Sequence, residues 1–564
     1  MGLAAVSRKK VFLGAVLLLL IAFFLPPNIN AARFKSTLAP ALSAALGREV
    51  RIGAVHFRLL PRPGFDLHDF KVMDDPAFSP EPLLQCGEVT ADVRLRSLWQ
   101  GRLEIANLRL RNATDQAPPS LNLVYRDGHW NLESLLARAG QASTAPTATK
   151  HAEQRLRFPY VAATGGRINV KIGMEKKPYA LMDTDFELLL AAEERWHFLL
   201  EGRPVRTDMN LGDTGTIKLE GDLSHLRDLP HLVLNLNASW KNAQLGQLSS
   251  LVLGQDKGWR GTLALSAQLT GSPNHMQLTT DVTLRNPRRY DINRSNIPPL
   301  DVTCLGDYTE TSLGFKCNST LGTGEVVLSG NLAPPIRQNY DISLAARNVP
   351  LASMAAILRQ VKRTVPDDVT ATGDINATFN FRSADGQKEW VGDGATTDFA
   401  VRSSAGAAPF QVSPVKFHMG SAETEPGRKQ AKTRTSKRKT AAVTSPPDTL
   451  TIDPFAVRMS EDAIAQVHGW IDHHGYLLQA RGAGAQLESV LELGQTSGFQ
   501  RRVGPITGKV DFDVQMSGPW AGFAPPVLTG KARVQGVKYA IPGIKDPLRL
   551  AAAEVELTEE AFTL

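Results

Sequence analysis

The stretch Lys509-Val510-Asp511-Phe512-Asp513-Val514-Gln515-Met516-Ser517-Gly518 alternates between polar and apolar residues. Successive side chains of a β-strand leave on opposite faces of the sheet, so this period of two predicts a half-buried strand. The same alternation runs through Ile217–Leu219, Leu232–Leu236 and Ile375–Phe381. The sequence therefore predicts a mainly β fold whose strands each have one apolar face. Either a second sheet or a ligand that is itself apolar must cover that face.

The net charge of +7 comes from one short stretch of the chain. Residues 428–439 contain seven Lys and Arg and no acid, which equals the whole excess. The rest of the chain lacks the basic face that nucleic-acid binding requires, so we expect no nucleic-acid partner. Low apolar content and high charge predict disorder for residues 421–447. This basic insertion either contacts anionic lipid headgroups or a cell-wall polymer, or is a solvated loop.

The N-terminus has the features of a membrane-targeting segment. Arg8-Lys9-Lys10 precedes the apolar run Val11–Leu25, which ends at Pro26-Pro27. It is either a cleavable signal peptide with a site near Ala31 or an uncleaved signal-anchor, and we favour the anchor. Basic residues before the run keep that end in the cytoplasm, so everything after residue 27 is exported. The residues predicted to anchor the chain include Val11, Leu17, Leu20 and Phe24.

The chain contains three cysteines, Cys86, Cys304 and Cys317. Cys304 and Cys317 flank a predicted hairpin. They form either a cross-strand disulfide in an oxidising compartment or a pair of small buried residues. No CxxC motif occurs, so a zinc site built on thiols is not expected.

A short helical stretch followed by a long strand recurs along the chain. Periodic units of this kind predict a sheet that grows by addition rather than one closed core. The three repeats are Ala243–Leu248 before Gly261–Gly271, Leu351–Val361 before Gly373–Phe381, and Ala485–Val490 before Gly508–Gly518. A second signature, with alternating apolar residues between glycines, occurs at Gly215–Leu223 and at Gly324–Leu332.

These patterns divide the chain into five predicted segments. Residues 1–27 form the cytoplasmic tip and the transmembrane signal-anchor. Residues 28–141 form an N-terminal domain that opens with an amphipathic helix within 28–46. Residues 151–420 form a repetitive β-groove, and residues 421–447 form the basic insertion. Residues 448–564 continue the groove, and the sequence leaves open whether Leu564 is the natural end.

Four motifs in the first part of the chain together resemble the AsmA-like family of bacterial envelope proteins. The first runs from Leu46 to Gly53 (LGREVRIG), and the second from Pro61 to Phe70 (PRPGFDLHDF). The third runs from Ser97 to Ile105 (SLWQGRLEI), and the fourth from Asp127 to Leu132 (DGHWNL). The motifs follow an N-terminal anchor in order, which makes the resemblance fairly specific.

The resemblance implies a single-pass protein of the bacterial inner membrane, with a cytoplasmic N-terminus and its body in the periplasm. It implies a long, curved, mostly antiparallel sheet that forms an open groove, with a few short helices, related to bridge-like lipid-transfer proteins. The implied function is phospholipid movement toward the outer membrane, with effects on outer-membrane protein assembly. The implied partners are the inner membrane, phospholipid acyl chains and envelope assembly factors. The alternative is a periplasmic scaffold without lipid carriage.

If lipid is carried, the inward apolar residues are its contacts. Burial of an acyl chain is worth roughly 0.8 kcal/mol per methylene, and this non-directional gain lets the chain slide. The residues predicted to face the groove are Ile217, Leu219, Leu232, Leu234, Leu236, Leu263, Leu265, Ile375, Phe379, Val510, Phe512, Val514 and Met516.

No constellation of residues in the sequence indicates an enzyme, and we expect neither a cofactor nor a metal. His468, Asp472, His473 and His474 are ligand-type residues, but they are more typical of a hairpin turn than of a metal site. The two carboxylates of Asp183-Thr184-Asp185 fall on one strand face, where an exposed polar surface is favoured over a paired-acid site. The sequence has no nucleophile elbow, P-loop or dinucleotide fingerprint.

Overall fold

The computed structural model shows a mainly β protein, a long and mostly antiparallel sheet with few helices. It describes residues 32–58, 62–93, 105–111, 118–135, 160–172, 175–192, 195–224, 232–292, 299–336, 338–362, 365–403, 408–420, 449–496, 505–519, 526–540, 545–558 and 562–563. The chain divides into two compact units. The first comprises Met1–Lys257 with Leu263–Leu278, and the second comprises Gly258–Thr262 with Thr279–Leu564.

The first unit opens with helix α1 (Ala32–Leu46), which lies within the predicted amphipathic segment. Leu38 of this helix joins a buried cluster with residues such as Val50, Phe65 and Val89 of the strands that follow. All strand pairs described in this unit are antiparallel except β5–β8 and β6–β8, which are parallel. Its strands are β1 (Val50–Arg51), β2 (Ala54–Arg58), β3 (Gly64–Met73), β4 (Pro82–Val93), β5 (Ile105–Arg111), β6 (Ser120–Arg126), β7 (His129–Trp130), β8 (Tyr160–Ile172), β9 (Glu175–Ala192), β10 (Arg195–Arg206), β11 (Thr216–Ser224) and β12 (Val233–Gln244). Helix α2 (Leu245–Leu253) follows β12.

The second unit is built from antiparallel strands and two more helices, α3 (Leu351–Val361) and α4 (Leu487–Thr496). Two strands, β13 (Trp259–Ser272) and β14 (His275–Arg289), contribute residues to both units. The others are β15 (Leu300–Thr309), β16 (Leu313–Leu321), β17 (Gly324–Ala333), β18 (Asn339–Pro350), β19 (Thr370–Ala384), β20 (Gln387–Arg402), β21 (Phe410–Val412), β22 (Lys416–Met419), β23 (Leu450–Arg458), β24 (Ile464–Ile471), β25 (Gly475–Gln486), β26 (Ile506–Pro519), β27 (Val527–Tyr539), β28 (Leu548–Leu557) and β29 (Phe562–Thr563).

The predicted helix-then-strand repeats are present, and a shared backbone feature starts each helix. In the strand before each helix, the third residue from the end has a left-handed backbone conformation. These residues are Asn242 (φ 60°) in β12, Asn348 (φ 47°) in β18 and Gly484 (φ 64°) in β25. Asn and Gly are the residues that tolerate this conformation best. The residue that follows is apolar and buried in all three repeats, and it is Ala243, Val349 or Ala485. The helix begins two positions after this buried residue. The repeat is therefore a structural unit and not only a sequence pattern.

Two predicted features fall outside the described residues. The anchor residues Val11, Leu17, Leu20 and Phe24 belong to the undescribed N-terminus, and residues 421–447 are likewise undescribed. Within the described ranges, no helix combines the length and the apolar composition that crossing a membrane requires.

Candidate functional site

The apolar side chains of the second unit form continuous rows across neighbouring strands. Residues directly opposite each other in an antiparallel pair share a face of the sheet. One row links Leu328 of β17, Leu344 of β18 and Phe379 of β19. It extends, in order across the strands, through Cys304, Cys317, Leu328, Leu344, Phe379, Gly392, Met419, Leu450, Ile471 and Tyr476. We call the surface formed by this row and its same-side neighbours the apolar face.

A second row runs beside the first on the apolar face. It consists of Val326, Ala346, Ala377, Gly394, Phe417, Ile452, Gly469, Leu478, Met516 and Leu528. Neither row contains a charged side chain. The apolar face therefore offers van der Waals contact over many consecutive strands.

Aromatic rings lie over glycines on this face. The rings of Phe379 and Phe417 are stacked with their centroids 6.2 Å apart. A Cβ added to Gly392 would come within 2.4 Å of the Phe379 ring, and one added to Gly394 within 2.4 Å of the Phe417 ring. Glycine is therefore required at both positions, because any side chain would displace the ring that covers it.

Most of the predicted groove residues are half-buried. Their side chains are less exposed than those of a free surface and more exposed than those of a closed core. Eleven of the thirteen have this intermediate exposure. They are Ile217, Leu219, Leu232, Leu234, Leu236, Leu263, Leu265, Ile375, Phe379, Val514 and Met516. On the first row, Leu328 is 36% exposed. A second sheet packed against these strands would bury such side chains more completely. Within the described ranges, much of the apolar face therefore remains accessible.

Val510 and Phe512 differ from the other predicted groove residues because protein covers them. They are 3% and 9% exposed, and both belong to a packed cluster that includes Ala465 and Val534. The apolar side chains of α4 pack against this cluster, and they are Leu487, Val490 and Leu493. Strand alternation placed both residues on the correct face, but it gave no information about the helix that covers them. These two positions are part of a core and are not available to a ligand.

The opposite face of the same strands is charged. Ion pairs cross between strands at Asp341–Arg382 (2.8 Å) and Arg481–Asp513 (2.8 Å). A cavity of about 350 Å³ on this side is lined by Asp341, Asn380, Arg382, Glu389 and Val391. Exposed pairs of this kind contribute little to stability, so their main effect is to keep this face in water.

The first unit repeats the arrangement on strands β8 to β12. Ile217 lies opposite Trp240, and Leu219 lies opposite Ala238. Two rows are continuous across this part of the sheet, namely Ala163–Phe186–Leu200–Leu219–Ala238 and Val161–Leu188–Phe198–Gly221–Leu236. The predicted residues of β11 and β12 are thus brought together on one face of the first unit.

The N-terminal motifs meet in a buried polar network that has a structural role. Asn131 accepts a hydrogen bond from the backbone N–H of Val124 (3.0 Å) and donates one to Asp74 (2.7 Å). Arg48 donates to the Asn131 carbonyl (3.2 Å) and forms an ion pair with Asp75 (3.0 Å). The network joins the first motif to the fourth and satisfies buried polar groups. The sequence motifs contain Arg48 and Asn131, but sequence reasoning did not identify the contact between these two residues.

The ligand-type residues considered for a metal or acid site have structural roles. Asp472 accepts hydrogen bonds from the backbone N–H groups of His474 and Gly475 in the β24–β25 hairpin. The bond from Gly475 is the main cause that lowers the pKa of Asp472. Asp183 pairs with Arg203 (3.0 Å), and Asp185 accepts from the backbone N–H of Gly165 (2.9 Å). The described residues contain no group of three or more possible metal ligands.

Cys304 and Cys317 lie directly opposite each other on β15 and β16, and the structure joins them by a disulfide. The third cysteine, Cys86, is buried in the first unit, and burial raises its pKa. The disulfide lies at one end of the first apolar row.

Sequence reasoning missed one charged residue next to the apolar face. Lys362 directly follows α3 and is only 4% exposed. Its ammonium group donates to the carbonyl of Pro519 and lies 5.9 Å from the ring centroid of Tyr476. Burial lowers the pKa of this lysine. No local signal could have revealed this, because the groups around it come from strands more than a hundred positions later in the chain.

The comparisons with known proteins agree with the N-terminal motifs. No curated protein and no solved structure matches the chain. Residues 8–189 match the model of the AsmA family, which confirms the family resemblance over this part of the chain.

Proposed function

We propose that this chain carries lipid acyl chains on its apolar face and serves lipid transport in the bacterial envelope. In this proposal residues 1–27 anchor the chain in the inner membrane, and the β-sheet forms an open, curved groove in the periplasm. The lipid is a phospholipid that moves toward the outer membrane, where its supply affects outer-membrane protein assembly. The observation that carries the proposal is the continuous, half-exposed apolar face opposite a charged one. The AsmA family match supports an envelope role.

The energetics of the apolar face suit transport better than storage. A chain of about a dozen methylenes gains roughly 10 kcal/mol when it leaves water, at about 0.8 kcal/mol per methylene. A bilayer offers a similar gain, so transfer between the membrane and the face is close to neutral in free energy. Because neither row contains a charged group, a lipid can move along the face without breaking specific bonds.

A lipid-transfer assay with matched variants tests the proposal. The full chain is reconstituted in donor vesicles with a fluorescent phospholipid, and the rate of its appearance in acceptor vesicles is measured. The variant Leu328→Asp places a carboxylate on the apolar face, where contact with an acyl chain would desolvate it at a cost of several kcal/mol. Leu305→Asp is the control, since Leu305 lies next to Cys304 on the opposite face and is 55% exposed. Both positions are exposed enough for the variants to fold.

We expect Leu328→Asp to slow the transfer at least tenfold and Leu305→Asp to leave the rate unchanged. Equal rates for the wild type and Leu328→Asp would contradict carriage on the apolar face.

A second candidate function is a periplasmic scaffold that carries no lipid. The covered cluster at Val510 and Phe512 favours it, because part of the apolar surface is used for ordinary packing there. Wild-type chain that folds and yet transfers no lipid would support the scaffold.

A further inference from the structure

Lys362 is a buried lysine beside the apolar face. It is 4% exposed, and burial is the cause that lowers its pKa. Among the described residues, no carboxylate forms an ion pair with it. An ammonium group has three donors, and the Pro519 carbonyl takes one of them. Removing a charge from water without a partner of opposite sign is costly, which favours the neutral amine, and a bound anion would offset that cost.

The surroundings of Lys362 place it where a lipid headgroup would meet the protein. Tyr476, whose ring is 5.9 Å from the ammonium group, belongs to the first apolar row opposite Ile471. Lys362 itself lies in the connection between β18 and β19, whereas Tyr476 and Pro519 belong to β25 and β26. On a flat sheet, β19 and β25 would be about 24 Å apart, because five strand-to-strand steps of about 4.8 Å separate them. The contact therefore shows that Lys362 lies closer to β25 and β26 than a flat sheet would allow.

A second polar group at the end of α3 has unused hydrogen-bonding capacity. Gln360 is 9% exposed, and its Oε1 atom has no hydrogen-bond partner among the described residues. A carbonyl oxygen of this kind accepts from a hydroxyl group. Among the described residues, the end of α3 thus buries an acceptor without a hydrogen-bond donor and, two positions later, a lysine without a carboxylate partner.

We propose that Lys362 binds the phosphate group of a phosphate-bearing ligand whose acyl chains lie on the adjacent apolar face. An anionic phosphate supplies the charge and the acceptor oxygens that the ammonium group lacks. This inference rests on the proposed function, since it assigns the headgroup of the same lipid. Two sources offer this chemistry, a phospholipid headgroup and free inorganic phosphate.

Native mass spectrometry of the full chain in mild detergent tests the inference. Phosphatidylglycerol is compared with diacylglycerol of the same acyl chains, which lacks the phosphate. The variant Lys362→Met removes the charge and retains an apolar side chain suited to a buried position, and Lys362→Arg retains the charge. The control is Lys316→Met, since Lys316 is exposed and lies on the opposite face of β16. Melting temperatures confirm that each variant is folded.

We expect wild type and Lys316→Met to bind phosphatidylglycerol at least tenfold more tightly than diacylglycerol. Lys362→Met should reduce phosphatidylglycerol binding to the level of diacylglycerol, and Lys362→Arg should restore most of the preference. A different result would identify free phosphate as the ligand of Lys362. In that case inorganic phosphate raises the melting temperature of wild type but not of Lys362→Met, and the two lipids bind equally.

Other outcomes overturn the inference. If Lys362→Met keeps the full preference for phosphatidylglycerol, the headgroup lies elsewhere. If both lipids bind equally to wild type and to Lys362→Met and phosphate has no effect, Lys362 has no role, while lipid carriage stands. If wild type binds neither lipid, the proposed function fails as well.

Discussion

Replacement of Asn131 by alanine should open the N-terminal strands of the first unit. The Asn131 side chain is fully buried and makes three hydrogen bonds, to the Val124 N–H, to Asp74 and to the carbonyl of Asn122. Alanine leaves the Val124 N–H and the Asp74 carboxylate buried without this partner. A buried polar group that loses its partner costs about 1–3 kcal/mol, so the two together cost about 2–6 kcal/mol.

Hydrogen exchange measured by mass spectrometry reports this cost locally, because peptides that cover β6 contain the Val124 amide. Since 1.4 kcal/mol corresponds to a factor of ten, protection should fall by about 30-fold or more. Asn235→Ala is the control, because Asn235 is exposed on β12 of the same unit, and surface changes of this kind usually stay within about 0.5 kcal/mol. Protection of β6 within threefold of wild type in Asn131→Ala would refute the structural role of the network.

Three further predictions concern the acid response, the disulfide and the glycines of the apolar face. Burial raises the pKa of Asp92, but hydrogen bonds from Arg58 and Asn107 outweigh this effect and lower the pKa overall. Because the folded state prefers the ionised carboxylate, Asp92 stabilises the fold at neutral pH, and this contribution is lost as the pH falls below about 4. The difference in melting temperature between wild type and Asp92→Asn should shrink over that range, and a constant difference would contradict this. Joint replacement of Cys304 and Cys317 by serine should cost about 3 kcal/mol in chemical unfolding, and thiol labelling of both cysteines in the native wild type would disprove the bond. Gly394→Ala should cost about 1–3 kcal/mol because a phenylalanine ring occupies the space of the new Cβ, whereas Gly212→Ala meets open space; equal melting temperatures for the two variants would count against the packing described.

The strands were predictable because their signal is local. In β26, alternation from Lys509 to Gly518 identifies the strand and its apolar face without knowledge of any other element. The three helical stretches were also predicted from the sequence, although two of them were placed from Ala243 and Ala485, two residues before the helices begin at Leu245 and Leu487. The left-handed residue that precedes each helix start was not recognised, although Asn and Gly are the expected residue types there.

What lies above the apolar face was not predictable from alternation. Val510 and Val514 have the same pattern in sequence, yet α4 packs against the cluster that holds Val510 and leaves Val514 half-buried. The apolar residues of α4 indicated that one side of the helix packs against the protein, but they did not indicate which strands it contacts. Lys362 was missed for a related reason, because its burial depends on Tyr476 and Pro519, which are distant in sequence. Tertiary contacts of this range decide exposure, and exposure decides which residues can contact a ligand.

Site-specific photo-crosslinking in bacterial membranes tests the central claim most directly. A benzophenone amino acid replaces Phe379 on the apolar face of the full-length chain, and in a second variant it replaces Val391, which is 37% exposed on the opposite face. After illumination, mass spectrometry identifies any phospholipid attached to the chain. We predict phospholipid adducts at position 379 and none at position 391. Adducts at neither position, or at both equally, would contradict the proposal that acyl chains lie on the apolar face.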